Sequence, residues 1–398
     1  MSEAFREIEE VGLGQNLKNA AGGVLVGFLM FVGAFPLLWW NEGRAVSTAQ
    51  MLAEAKGGVV SVDSAEDPAR HEGKLVHLQG EIAVDQEVVD STFGVKVKRP
   101  GLERQVEMYQ WTERVKTKEE QKVGGGTRKI KTYSYSKTWS KEAISSGAFK
   151  RPEGHENPAM PFRSWSARAE AGSIGAFAVD RAVLSEVDAQ EPLKLDDAFM
   201  EQLKARVGAR SVNLQGEGNS AYVGDASSPK IGDLRISYFQ LKPDVSVIAQ
   251  PTDGVLKSKN MSNGKALLIV ASGKKTAQEM IEWEETKNTA MTWLFRLGGF
   301  LMMFFGVKAM LGVVVALANI LPFLGGLADF GTSLIGGAVA VPCALVTIAL
   351  AWIAYRPMIG VTLLVIGVVV TVGLLRKGKS DRMVTLADGS QVEMPGSS

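Results

Sequence analysis

The sequence predicts an α+β membrane protein: four transmembrane helices, one N-terminal and three C-terminal, with a large β-rich extracytoplasmic domain between spans one and two. Three observations predict it. Four stretches are apolar over the length that a bilayer core requires, about 20 residues in a helix. The region between the first and second is polar and carries runs that alternate at period two. Charge is partitioned as well: from Met291 to Leu375 only Arg296, Lys308, Asp329 and Arg356 carry it, whereas Arg44 to Lys287 is rich in both signs.

A chain of 398 residues has room for a membrane part and a full domain, and a net charge of +1 gives no pull towards nucleic acid. Its single cysteine, Cys343, excludes an intrachain disulfide and a multi-cysteine metal site, and reads as an inert buried thiol in an apolar run.

The first span covers 21–40, with no charge from Ala21 to Trp39. Before it stand only Arg6 and Lys18 among several glutamates, and Leu-Leu-Trp-Trp-Asn offers no small-x-small cleavage site. It reads as a retained anchor rather than a signal peptide. The other spans fall at 291–318, 331–353 and 358–375. Trp39 and Trp40 end the first, Trp293 begins the second, and Trp352 and Tyr355 end the third. With alternating spans these interfacial aromatics share a side, which is the side of the domain. Arg376, Lys377, Lys379 and Arg382 follow the fourth span on the other side, and positive flanks stay cytoplasmic. The expectation is a cytoplasmic segment over 1–20, an extracytoplasmic domain over 41–290, a cytoplasmic loop over 319–330 and a cytoplasmic tail over 376–398.

Two charged groups stand out, one deep in span two and one in the loop that follows it. Lys308 stands about 22 Å along span two from Trp293 at 1.5 Å per residue, deep enough to snorkel to the cytoplasmic headgroups. The sharper alternative pairs it with Asp329 in the following loop, as part of a polar path. The stretch GGLADFGTSLIGG is suited to close helix packing.

Within the domain, residues 45–57 continue as a helix out of the membrane, and LVHLQGEIAV and GVKVKR read as strands. VEMYQWTERVKTK and TRKIKTYSYSKTW, separated by EEQKVGGG, predict a long hairpin whose aromatic face carries Tyr109, Trp111, Tyr133, Tyr135 and Trp139. That face is expected to pack within the domain, with the Lys- and Arg-rich tip solvated or touching anionic lipid or a partner. AGSIGAFAV, GDLRISYFQL, VSVIAQPTDG and GKALLIVASG add strands, and PLKLDDAFMEQLKARVG adds a helix. KTAQEMIEWEETKNTAMTW forms a helical stem into span two.

No catalytic motif emerges. His71, His77 and His155 have no ligand spacing around them that suits a metal. ALLIVASGKKT fails as a phosphate loop, because Leu268 stands at the first glycine position and Lys275 at the Ser/Thr position. Neither G-x-S-x-G nor a strand-to-helix G-x-G-x-x-G occurs. The chain is expected to be neither an enzyme nor a cofactor protein.

NEGRA at 41–45, EGKLVHLQG at 72–80, VEMYQW at 106–111 and YSYSKTW at 133–139 resemble the transmembrane protein 43 family, also called LUMA. GHENP at 154–158, GDLRISY at 232–238, MTWLFRLGGF at 291–300 and YRP at 355–357 extend the resemblance in the same order over nearly the whole chain. It implies four spans, a large lumenal or periplasmic loop and cytoplasmic termini. It further implies self-association and organisation of membrane-protein complexes, with emerin and lamins in the animal nuclear envelope and endoplasmic reticulum. Here the amino terminus is short and acidic, and the tail DRMVTLADGSQVEMP reads as a small hairpin about Asp-Gly rather than a basic tail. With the compact loops and high Ala and Gly content, this points to a bacterial member in an inner membrane.

In the opening motif, Trp39 and Trp40 would fix the depth of span one. Asn41 and Glu42 would accept hydrogen bonds from the base of the domain, Gly43 would permit close backbone approach, and Arg44 would pair with a carboxylate or lipid phosphate. The bland alternative is an interfacial helix that merely continues outward. The leading function is a membrane-anchored scaffold that binds protein partners or lipid and self-associates as a homo-oligomer, without nucleic acid. An envelope or lipid-processing enzyme and a channel or transporter subunit are the alternatives.

Overall fold

The computed structural model describes residues 4–208, 210–356, 362, 383–385 and 391–393. They form two compact units. The first takes in residues 1–16, 48–288 and 319–322, and the second 17–47, 289–318 and 323–398.

The first unit is built on two sheets. One runs in the order Ala4–Val11, Thr127–Ser140, Gly101–Gln121, Leu234–Leu241, Ser220–Val223 and Val212–Gln215. The other runs Ile269–Ser272, Asp244–Thr252, Val255–Lys257, Phe177–Asp180, Ala171–Ile174, Val76–Val84 and Val60–Ser61. Period two explains the core between them. Leu102, Val106 and Met108 are buried from the first sheet, as are Val245 and Val247 from the second, while Glu103, Gln105 and Glu107 between them stay half-exposed. Ile248, out of phase with Val247, faces a separate core instead. That core also holds Leu52, Ala55, Ile269, Met280 and Ile281, so two helical segments cover the back of the second sheet. Asp253 and Gly254, at φ 52° and 77°, make the tight turn into Val255–Lys257, where Asp-Gly relieves the left-handed strain.

The expected aromatic hairpin is present, with Gly101–Gln121 paired to Thr127–Ser140 from Met108↔Ser140 to Gln121↔Thr127. Its turn uses Gly124 and Gly125 at φ 93° and 79°. The helix Asp197–Val207 also forms as expected, capped by Asp196 through Phe199 N and stopped at Gly208, φ 69°.

One expectation is corrected. The acidic segment over 1–20 does not stand apart from the domain: Ala4–Val11 is the edge strand of the first sheet, in antiparallel register with Thr127–Ser134. Glu7 bonds Lys150 at 2.7 Å, Glu9 bonds Lys131 at 2.8 Å, and Glu10 meets Lys122 and Arg128. The Gly124 amide donates to the Ile320 carbonyl at 3.0 Å, so part of the loop expected over 319–330 joins the same turn. Ala4–Val11 and the hairpin it borders thus belong to one compact unit.

Among the described residues, three helices are long and apolar enough to cross a membrane: Leu13–Gly58, Ala277–Met310 and Leu324–Tyr355. The first and second continue beyond the expected spans, carrying the 45–57 and stem helices without a break. The second stops at Met310, before a separate short helix, Gly312–Ala318. The third starts at Pro322, where proline is favoured because its missing N–H costs nothing in the first turn, so Asp329 is helical rather than in a loop. The expected span over 358–375 and most of the tail lie outside the described residues. Met383–Thr385 and Gln391–Glu393 do pair antiparallel, as a hairpin about Asp-Gly requires.

Lys150, Lys131 and Lys122 hold the carboxyls of Glu7, Glu9 and Glu10 below the ordinary glutamate value of 4.5. A carboxyl depressed in the folded state stabilises above its unfolded pKa, and that gain is lost as pH falls through the folded one. Amide exchange in residues 4–11, corrected for the intrinsic rate, is therefore expected to be slow at neutral pH and to accelerate selectively below about pH 4.5.

Candidate functional site

The blocks of sequence singled out above gather in two places, one in each unit. In the second unit the opening motif closes on itself. Glu42, 1 % exposed, takes a two-pronged bond from Arg296, Nε to Oε1 at 2.7 Å and Nη2 to Oε2 at 2.9 Å. The Trp352 indole N–H donates to the same carboxylate at 2.8 Å. Three long helices are thereby tied at one carboxyl group. The Arg296 guanidinium lies 4.9 Å from the Trp293 ring centre and 5.6 Å from that of Trp352, so its faces are covered while its edge bonds.

Asn41 and Arg44 stand one turn apart and both reach Thr292. Asn41 Nδ2 donates to the Thr292 carbonyl at 3.1 Å, and Arg44 Nη2 donates to the Thr292 hydroxyl at 3.1 Å and to Asn41 Oδ1 at 3.3 Å. Trp39 packs on Tyr355 and Trp40 on Phe295, which brings the expected interfacial aromatics to one end of these helices. The motif is therefore a joint between helices, with Thr292, Arg296 and Trp352 as partners. Gly43 accommodates a side chain, not a backbone, since a Cβ there would lie 2.7 Å from Tyr355 Cζ.

Lys308 and Asp329 also meet, at 3.1 Å. The bond joins Ala277–Met310 to Pro322–Tyr355, the pairing that the sequence offered as the sharper alternative. A close helix approach occurs where no motif marked it. A Cβ at Gly27 would lie 2.5 Å from the Gly306 carbonyl oxygen, and one at Gly306 would lie 2.7 Å from that of Gly27. Of GGLADFGTSLIGG, Gly336 stands against Phe304, whereas Gly326, Gly331 and Gly337 have open space at the Cβ position.

In the first unit the convergence is at the root of the hairpin. The strand Leu234–Leu241 pairs with Gly101–Gln121 as far as Met108 and then stops. Asp233 and Gly232 extend the ladder to Tyr109, and the side chain of Asn157 completes it. Asn157 Oδ1 accepts from the Trp111 amide at 2.7 Å, and its Nδ2 donates to the Trp111 carbonyl at 3.0 Å and to the Ile144 carbonyl at 3.1 Å. One amide thus does what a strand residue would do. Gly232, at φ 89°, passes against Pro158, where a Cβ would come within 2.9 Å of the ring.

His155 stacks on Tyr135 at 4.0 Å and meets Trp111 edge-on at 4.7 Å. Tyr109 and Trp139 pack at 5.2 Å, and Tyr133 and Tyr135 are buried. All five expected aromatics share one face, roofed in part by residues 149–157. Burial first, then the Glu113 carboxylate accepting its hydroxyl, pushes the Tyr135 pKa up and keeps it neutral.

His77 is held between the Ser61 hydroxyl, 3.1 Å, and the Lys275 carbonyl, 2.8 Å, and His71 bonds Glu66 at 2.9 Å. Among the described residues no three His, Cys, Asp or Glu side chains gather as a metal ion would need.

A family model described as Transmembrane protein 43 matches residues 108–357. Transmembrane protein 43 of Rattus norvegicus is 33% identical over 360 residues, covering 87% of this chain and 88% of the relative. The chain belongs to the transmembrane protein 43 family. The protein of that name from Homo sapiens is 32% identical over 363 residues, with 87% and 88% covered, and the Drosophila melanogaster homolog is 30% identical over 364 residues, with 89% and 94% covered. No solved structure matches the chain significantly. Both clusters fall on blocks that carry the family resemblance. The family match takes in Arg296, Trp352 and Asn157, whose roles the sequence left open. The only signal for the first two was a lone charge and a tryptophan in apolar segments.

Removing one partner of a desolvated ion pair leaves the other uncompensated. Glu42→Ala or Arg296→Ala is therefore expected to cost about 3–5 kcal/mol, and Glu42→Leu with Arg296→Met together to cost less than either single change. Heat denaturation of the detergent-solubilised chain measures both; equal losses for single and paired variants would deny the coupling. At the hairpin, Asn157→Ala strands both backbone groups of Trp111, each worth about 1–3 kcal/mol when buried and unpaired, and should lower the melting temperature of the intact chain clearly. Asn157→Asp keeps the acceptor, loses the donor and should recover only part of the loss.

Proposed function

We propose that this transmembrane protein 43 relative is a membrane-anchored scaffold. In this reading the body of its β-rich domain is extracytoplasmic, binds protein partners or lipid headgroups and works as a homo-oligomer. The observation that carries the reading is the closed joint. The Glu42–Arg296–Trp352 cluster is spent on fixing three helices to one another, which suits an anchor and leaves recognition to the domain. The family resemblance supports the same division of labour. The fourth span over 358–375, the cytoplasmic tail and an inner-membrane location belong to this proposal.

Sidedness and partnership are tested together. Ser227→Cys, on an exposed loop of the domain, is expected to react with an impermeant maleimide from outside spheroplasts. Gly124→Cys and Arg6→Cys are expected to react from one and the same side, because their segments are hydrogen-bonded neighbours. Capture of the intact chain from native membranes should bring specific proteins with it and more than one copy of the chain itself. A monomer that emerges alone would refute the scaffold.

A further inference from the structure

The second sheet ends on Ile269–Ser272, which pairs with Asp244–Thr252 on one side and has no strand on the other among the described residues. A groove of about 620 Å³ runs along this edge, with Trp283 of the stem helix over it, 67% exposed. The two faces of the edge differ. On one, Ile269 packs with Met280 and the stem; on the other, Val270 packs towards the main core, beside Val187 and the loop that carries Glu186 and Asp188. Carboxylates prevail at the rim: Glu186, Asp188, Glu279 and Glu284 against Lys275 and Lys287, and Lys287 is already paired with Glu284 at 3.3 Å.

A free edge presents a row of outward N–H and C=O groups, a template on which a partner can add a strand. We infer that Ile269–Ser272 takes up an extended segment of another protein as an added strand, and that this segment alternates apolar and basic residues. The alternation follows from the groove. Successive side chains of the incoming strand turn to opposite faces, one set meeting Met280 and Trp283, the other meeting Glu186 and Asp188. A lipid chain fits less well, since it leaves the edge unsatisfied and brings a phosphate to a rim of carboxylates. The inference rests on the scaffold reading in one respect, that the domain recognises protein.

The probe is a fluorescein-labelled peptide, Lys-Val-Lys-Val-Lys-Val, titrated into the full chain in nanodiscs and followed by anisotropy and by amide exchange. Saturable binding with slowed exchange across Ile269–Ser272 is expected, weakened tenfold or more by Trp283→Ala and by methylating alternate backbone nitrogens of the peptide. Glu186→Lys should weaken this peptide and strengthen Glu-Val-Glu-Val-Glu-Val, a reversal that a misfolded variant would not give. Equal binding of the methylated peptide, no protection at the edge, or displacement by a lysophospholipid at the same concentration would overturn the inference. If the peptide fails while native-membrane capture still yields protein partners, the groove is refuted and the scaffold stands. Capture that yields none sinks the scaffold instead.

Discussion

Glu42 is the point on which the membrane unit depends. A carboxylate withdrawn from solvent is costly unless it is paired and hydrogen-bonded, and here three donors from two other helices engage it. Because Arg296 offers a planar fork, the bond fixes rotation as well as distance between Leu13–Gly58 and Ala277–Met310. Trp352 then sets the third helix. The small-residue contacts farther along, Gly27 on Gly306 and Leu38 over Gly299, are possible only if the helices keep that rotation, since each leaves no space for a turned side chain. Close packing in lipid supplies the attraction, and the ion pair selects which faces meet.

The domain shows the same economy. Where the strand Leu234–Leu241 ends, the ladder passes to Asp233 and Gly232 and then to one side-chain amide, so the hairpin root stays fully bonded without another strand. This explains why three short blocks, at 106–111, 154–158 and 232–238, hold together in space although they are far apart in the chain. Gly232 and Pro158 fit as a pair, and Asn157 reads both sides of Trp111.

Much of this was legible in the sequence because the signals were local. Apolar length marked the helices, period two marked the hairpin and the sheets, and Gly-Gly-Gly marked its turn. What was not legible depended on distance. Ala4–Val11 mixes Phe5, Glu7 and Glu9 on one face and Arg6, Ile8 and Glu10 on the other, so it has no apolar side to announce a strand. Its partner, moreover, lies more than a hundred residues on, at Thr127–Ser134. Glu42 and Arg296 were visible as charges beside spans, but nothing local says which charge meets which. The motif's partners on the other helices, Thr292, Arg296 and Trp352, were hidden for the same reason. Lys308 and Asp329 illustrate the converse: their pairing was foreseen as the sharper option, yet the helix that carries Asp329 begins earlier than an apolar window indicates, because Pro322 opens it.

The edge strand has a consequence for biosynthesis. Ala4–Val11 leaves the ribosome before its partner, which follows about 120 residues later, roughly 6–24 s at 5–20 residues per second. Through that interval an acidic, unpaired strand waits beside an apolar helix already able to enter the membrane. Three glutamates within it keep the waiting segment soluble and averse to self-pairing until the basic strand Thr127–Ser140 arrives. The charges that look least like a strand are thus the ones that let an early-made strand wait for its partner.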